Sequence, residues 1–443
     1  MRQELAACPD HRACRLSGAF YCRETHVATE DNEDIEPGGV SPLLWHALDG
    51  EGVTAAEGFS AASVACGLKE SEAHDLAVVF SDREAAAAGV FTSNQVKAAP
   101  VLLSQARVAS GRAQAVVINS GNANACTGEQ GRLDAEEMAA LAAEKLGVDA
   151  DLVLVASTGH IGHPLPMDAL RSGIPAACAA LSPSGGPQAA RAIITTDTRP
   201  KEMALEMELA GARVRLGGMA KGAGMICPAM ATMICVITTD AGIEARNLDL
   251  ALRWAVDRSF NCITVDGDMS TNDTVLVLAN GASGAQVLKE EDRRKFQRAL
   301  DFITARLARA IVADGEGATK TIQVHVSGTK EYEQARRVAM AIANSPLVKT
   351  ALYGGDPNWG RIMGAAGAAG VEFDPGAADL SLAGIPVVGA GAPLPFDEKG
   401  AAQAVSEREI TIHLDLHAGP QSATVYTCDL SEEYVRINAH YTT

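Results

Sequence analysis

The chain has 443 residues, 47% hydrophobic and 21% charged, with a formal net charge of minus 18 and a pI near 5.0. That length holds two domains or one large α/β body, since single cores stop growing near roughly 250 to 300 residues. The acidity argues against nucleic acid and anionic membranes as partners, and no apolar run approaches the roughly 18 to 20 residues of a membrane span.

Residues 1–45 read as a disordered N-terminal extension, because "TEDNEDIEPGG" is acidic and carries Pro and Gly. Cys8, Cys14 and Cys22 with His11 and His26 could ligate zinc, but their intervals match no common structural site. The first 25 residues mix Glu, Asp, Arg and His without an apolar stretch, unlike a secretory signal. The expected compartment is the cytosol. Cys66, Cys126, Cys178, Cys227, Cys235, Cys262 and Cys428 lie among apolar or small residues and read as reduced, buried thiols.

The core is expected to begin near Gly52. "AQAVVINSGNANACTGEQG" predicts a strand over 115–118 entering a sharp turn. "RLDAEEMAALAAEKLGV" predicts a helix, with acids early and Lys145 late as the dipole prefers. "DLVLVASTGHIG" is a buried strand ending in a turn, and "KEMALEMELAGARVRLGGMAKG" suits half-solvated strands. Next come a strand over 233–238, a helix around 247–257, the strand "TVLVLANG", a long helix over about 288–313 and the strand "TIQVHVSG". "EYEQARRVAMAIANS" is helical. "ITIHLDL" and "SATVYTCDL" look like a hairpin through "HAGPQ". Without a clean βαβ rhythm, the expectation is layered α/β with much antiparallel sheet.

Two Gly-Lys segments imitate phosphate loops. In "GGMAKGAG" Lys221 precedes its glycine, and "DGEGATK" has no glycine directly before Lys320. No HExxH or paired CxxC supports a catalytic metal, so neither metal nor cofactor is expected. "DPNWGR" holds Asp356, Asn358 and Arg361, and Asn358 reads as the cap of a helix.

In "KGAGMICPAMATMIC", Thr232 follows a Gly-rich approach and opens an apolar strand. Taken alone it reads as a β-branched strand residue. Were the Ala231–Thr232 bond cut, one residue would carry both a hydroxyl and a free α-amine able to act as its base. That is the Thr variant of nucleophile activation, which needs no triad. "ASTGHIG" could stabilise the oxyanion: Gly159 permits a close turn and Thr158 adds a hydroxyl, although an ordinary strand-ending turn has the same letters.

These segments, with "GVFTSNQVKAAPV", "INSGNANACTG", "ITTDTRPK", "VDGDMSTNDT", "DGEGATK", "GGDPNWGRI" and "INAHYTT" in order, resemble the ornithine acetyltransferase family, the bifunctional glutamate N-acetyltransferases of arginine biosynthesis. The resemblance spans about Gly52 to Thr443. It implies an αββα-type sandwich like that of self-cleaving enzymes with an N-terminal nucleophile. It also implies a cut between Ala231 and Thr232 into an α chain (46–231) and a β chain (232–443), assembled as a cytoplasmic heterotetramer of two of each.

The implied reaction moves acetyl from N2-acetyl-L-ornithine to L-glutamate through an acetyl-threonine, with acetyl-CoA as donor left open. By motif position Thr232 is the nucleophile and Thr158 with Gly159 the oxyanion hole. Thr195, Lys221, Thr232, Glu316, Asn438 and Thr443 fall where the family binds substrate. Chemically, Lys221 suits a substrate carboxylate and Glu316 a cationic amine; taken singly they read as a solvated lysine and a surface acid. Two residues depart from the family pattern: Ala229 stands where Asn is expected, and His160 where an aliphatic residue is. Two other readings remain, a self-cleaving hydrolase or aminopeptidase of the same kind of fold and an uncleaved, inactive binding relative.

Overall fold

The fold is organised by one long strand, Leu76–Phe91, whose pairing shifts between Phe80 and Ala85. The computed structural model describes residues 44–227 and 233–440, all but the first of them within one compact unit, Trp45–Thr443. The extension to residue 43, with its cysteines and histidines, lies outside the described residues, as do 228–232 and 441–443.

The first half of the long strand pairs with Phe59–Val64 on one side and Arg112–Asn122 on the other, and Val153–His160 continues that leaf. The second half pairs with Thr274–Ala279, followed by Ile234–Thr239, Ala212–Lys221, Lys201–Leu209 and the short His46–Ala47. A single nine-stranded sheet is thereby folded into two leaves. All its pairings are antiparallel except two, 115–122 with 153–160 and 234–239 with 274–279.

Alternation along each strand decides the layers, because successive side chains point to opposite faces. Val79, Val116, Ile118 and Leu154 of the first leaf pack directly against Met219, Val236, Leu276 and Leu278 of the second. The intervening Leu76, Val78, Val117 and Val155 face Met138, Leu170 and Ile174 of the helices Gly128–Leu146 and Met167–Ala179. On the far side, Cys235, Ile237, Val275 and Val277 face Leu248, Leu252, Ile303 and Leu307 of Ala245–Asp257 and Glu290–Val312. Helix, sheet, sheet, helix is the expected sandwich, and its antiparallel character is as expected.

A six-stranded sheet has its own core beneath the helices Tyr332–Ala343, Pro346–Tyr353 and Trp359–Gly367. Asn358 caps the last of these, its side chain accepting the Arg361 N–H at 3.3 Å. Among the described residues no helix is long and apolar enough to cross a membrane.

The structure corrects four local expectations. "ITIHLDL" and "SATVYTCDL" form strands Glu409–Asp415 and Gln421–Cys428, but they do not pair with each other. Thr321–Thr329 lies between them, parallel to the first and antiparallel to the second. The connection crosses over the end of that strand at Gly328 (φ 76°), where a Cβ would sit 2.3 Å from the His417 nitrogen.

The strands of 201–221 are largely buried because both faces are covered; Gly217 is pressed so near Gly52 that a Cβ would lie 1.9 Å from its carbonyl oxygen. The helix predicted from Arg132 starts a turn earlier, at Gly128. Of the seven core cysteines, all free, Cys178, Cys235, Cys262 and Cys428 are buried, Cys66 and Cys227 are half-buried, and Cys126 is exposed.

Candidate active site

Strand ends and turns from distant parts of the chain converge on Lys221. It ends the strand Ala212–Lys221, is fully buried, and its ammonium donates to the Thr195 hydroxyl at 2.8 Å and the Thr158 hydroxyl at 3.3 Å. Burial pushes the Lys221 pKa down, opposed chiefly by the Asp197 charge. The nearest carboxylate oxygen in an ion pair, Asp197 Oδ2, is 3.9 Å away. A lysine held mainly by hydroxyls keeps donor capacity for an incoming anion.

Thr158 and Gly159 close the strand Val153–His160. Thr158 is buried, and Gly159 has φ 131° with its backbone so close to Gly121 that a Cβ would meet the Gly121 carbonyl carbon at 2.3 Å. Only glycine fits both demands. Asn272 clamps this corner, its amide donating to the carbonyls of Ala123 (2.6 Å) and Ser157 (2.8 Å). Three of the motif blocks thus meet at one side chain.

Asp197 supplies the framework of the opposite wall. Its carboxylate accepts from the N–H groups of Gly222 (2.6 Å) and Thr195 (3.0 Å) and from Lys201 Nζ (2.6 Å). Lys201 also reaches Asp314 at 2.6 Å, all three side chains being buried. Burial raises the Asp197 pKa, but Lys221, Lys201 and the Gly222 N–H outweigh it, and the net result is about 2. Asp314 in turn accepts from the Thr198 N–H at 3.1 Å.

Two residues beyond Asp314, Glu316 is buried over the 222–224 segment, its N–H donating to the Ala223 carbonyl at 2.9 Å. Gly224 leaves it room: a Cβ there would lie 2.5 Å from the Glu316 carboxylate. Asn438, on the last helix, Glu432–His440, donates to Glu316 Oε2 at 2.8 Å. Ser431 bonds to the Gly317 carbonyl and Tyr434 to Asp266 at 3.3 Å, tying the C-terminal helix to the same turn.

The residues bracketing 228–232 are pinned as well. Asp266 accepts the N–H groups of Met225 (2.6 Å) and Ile226 (2.9 Å), and Asp273 accepts that of Met233 at 3.1 Å.

Thr158, Gly159, Thr195, Lys221, Glu316 and Asn438 are therefore brought into one neighbourhood, whereas Ala231, Thr232, Ala229 and Thr443 lie outside the described residues. Lys221 and Glu316 are not the solvated lysine and surface acid that each suggests by itself. His160 is half-exposed, its ring centroid 6.2 Å from that of His163. Asp197, Lys201, Asp314, Asn272 and Asp273 were missed as individual residues. The available signal was their position within "ITTDTRPK", "DGEGATK" and "VDGDMSTNDT", charged or amide side chains in otherwise conspicuous blocks. A separate open cleft of about 720 Å³, lined by Thr54, Asp82, Arg213 and Arg215 among others, contains none of these residues.

The model of the ArgJ family matches residues 60–443. The chain is 53% identical over 396 residues to the "Arginine biosynthesis bifunctional protein ArgJ" of Symbiobacterium thermophilum, covering 88% of this chain and 98% of the relative. It is 48% identical to the protein of the same name from Geobacter sulfurreducens, covering 87% and 99%. Among solved structures, it is similar to the Bacillus halodurans protein of that name (41% identity, TM-score 0.45, 46% of this chain and 97% of that one). It is also similar to an ornithine acetyltransferase from Mycobacterium tuberculosis complexed with ornithine (46% identity, TM-score 0.39, 42% and 98%). With the family model and these relatives spanning nearly all of the described unit, the chain belongs to the ArgJ family.

Proposed function

We propose that this ArgJ-family acetyltransferase of arginine biosynthesis moves acetyl from N2-acetyl-L-ornithine to L-glutamate through an acetyl ester on Thr232. The observation that carries the reading is the fully buried Lys221 bridging the hydroxyls of Thr158 and Thr195. In this reading Thr158 and the Gly159 backbone face the oxyanion of the tetrahedral intermediate. Lys221 and Thr195 meet the substrate carboxylate, and Glu316, oriented by Asn438, meets the side-chain ammonium of ornithine. Glutamate then occupies the same site and takes the acetyl group on its amine, giving ping-pong kinetics. Acetyl-CoA is proposed as an additional donor, in keeping with the word "bifunctional" in the relatives' names.

The nucleophile arises by cleavage between Ala231 and Thr232, leaving an α chain of residues 46–231 and a β chain of 232–443. Strand pairing favours the two staying together, since Ala212–Lys221 precedes the cut and pairs with Ile234–Thr239 after it. The mature form is proposed as a cytosolic heterotetramer of two α and two β chains.

The test is a glutamate acetylation assay with acetylornithine and with acetyl-CoA, run beside Thr232→Val. The parent is expected in two fragments, the second starting at Thr232, and the variant folded, uncut and inactive. Acetylornithine consumed equally fast without glutamate would make the protein a hydrolase. An active, uncut Thr232→Val chain would remove the nucleophile.

A further inference from the structure

The helix Glu432–His440 has no buried residue, so apolar packing does not fix its place. Its hold on the protein is polar. Ser431, just ahead of it, donates to the Gly317 carbonyl at 2.6 Å, and Gly317 (φ 68°) comes so close that a Cβ there would meet the Tyr434 nitrogen at 2.5 Å. Tyr434 and Asn438 are one turn apart and share a face of the helix. The Tyr434 hydroxyl donates to Asp266 Oδ2 at 3.3 Å, and the Asn438 amide donates to Glu316 Oε2 at 2.8 Å. The same amide nitrogen also donates to the Tyr434 carbonyl at 3.1 Å, which fixes the plane of the amide.

Asp266 is a firm post for this helix. Its Oδ1 accepts the N–H groups of Ile226 (2.9 Å) and Asp268 (3.1 Å), and its Oδ2 accepts that of Met225 (2.6 Å) beside the Tyr434 hydroxyl. Such a set of donors fills the acceptor sites of a carboxylate. The segment is tied to Ile226 again through the Val265 N–H (2.8 Å) and the Thr264 hydroxyl (2.9 Å), both donating to the Ile226 carbonyl. Burial pushes the Tyr434 pKa up, and the charges of Asp266, Asp268 and Glu316 push it the same way, so the phenol keeps its proton and acts as the donor.

A continuous chain of hydrogen bonds thus runs from Asp266 through Tyr434 and Asn438 to Glu316. We propose that Tyr434 is a positioning residue for the ammonium end of acetylornithine: its hydroxyl fixes the helical turn that carries Asn438, and Asn438 aims the Glu316 carboxylate. The proposal rests on Glu316 being the group that meets that ammonium. Because Tyr434 works through a carboxylate, its influence falls on a cationic side chain and spares a neutral one of the same shape.

The test measures the KM for acetylornithine and the Ki of N2-acetylnorvaline, the same molecule without its terminal amine, with melting temperature as the control for folding. Tyr434→Phe keeps the ring and removes only the hydroxyl. It is expected to raise the KM for acetylornithine by about three- to tenfold, as the loss of one ordinary hydrogen bond does, with a smaller effect on kcat and an unchanged Ki for acetylnorvaline. In an Asn438→Ala background the same substitution should add no further rise, since both changes break one chain of bonds. An unchanged KM overturns the proposal. So does an equal rise in the acetylnorvaline Ki, which marks a general loss of shape, and so do additive effects of the two substitutions. Glu316→Gln separates this proposal from the reading beneath it. A KM for acetylornithine that ignores Glu316→Gln overturns the ammonium assignment and the proposal together, whereas a KM raised by Glu316→Gln but not by Tyr434→Phe overturns Tyr434 alone.

Discussion

Replacing Lys201 by Met tests whether the buried carboxylates hold the active-site walls together. Lys201 Nζ lies 2.6 Å from both Asp197 Oδ1 and Asp314 Oδ2, with all three side chains out of solvent. Removing the shared cation leaves, as ion-pair partners among the described residues, Lys221 at 3.9 Å from Asp197 and Arg199 at 4.0 Å from Asp314, beside the N–H groups of Gly222, Thr195 and Thr198. Breaking such a buried pair costs about 3 to 5 kcal/mol. For a folded unit of about 400 residues, an unfolding entropy near 2.1 cal/mol/K per residue gives about 0.8 kcal/mol per degree, so the melting temperature should fall by about 4 to 6 °C.

Acid titration supplies an independent readout. The Asp197 pKa is lowered from 3.8 to about 2 in the fold. A depressed carboxylate stabilises above its unfolded pKa and loses that stabilisation as pH falls through the folded value. At 1.36 kcal/mol per pKa unit this amounts to about 2 kcal/mol, lost between about pH 4 and pH 2. Lys201→Met should flatten that acid limb. It should also lower kcat, because Asp197 positions the Gly222 and Thr195 backbones. Calorimetry from pH 7 to pH 2 decides: a melting temperature within about 1 °C of the parent, with an unchanged acid limb, would refute the reasoning.

Two further substitutions probe the site itself. Thr158→Ala should reduce kcat by about 10 to 1000-fold with little change in KM, because an oxyanion donor acts as charge develops; steady-state kinetics with unchanged kcat would exclude Thr158 from the mechanism. Gly224→Ala places a Cβ 2.5 Å from the Glu316 carboxylate. Glu316 must move and loosen its bond to Asn438, so KM for acetylornithine should rise about tenfold, comparable to losing one charged hydrogen bond. An unchanged KM would dissociate Glu316 from ornithine binding.

Much of this protein is legible locally. The strands at 115–118 and 153–160 follow from apolar runs, and the helices from their 3.6-residue period. Asn358 caps its helix because capping involves only the neighbouring turn. The ordered motif blocks carry the family resemblance, and it is that resemblance, by motif position, which singles out Thr158, Gly159, Thr195, Lys221, Glu316 and Asn438. The antiparallel, layered character likewise follows from strands that lack a regular βαβ rhythm.

Other features exist only in three dimensions. The insertion of Thr321–Thr329 between Glu409–Asp415 and Gln421–Cys428 depends on a strand about 90 residues upstream, while the sequence around "HAGPQ" is compatible with a simple hairpin. Lys201 and Asp314 are 113 residues apart and meet only after the sheet and the 314–316 turn have formed. The same holds for the burial of Lys221 and Glu316. Local pattern assigns charged residues to the surface because burying one charge alone is unfavourable. The tertiary structure reverses that assignment by bringing distant hydroxyls, amides and opposite charges within hydrogen-bond distance, interactions that sequence spacing does not encode.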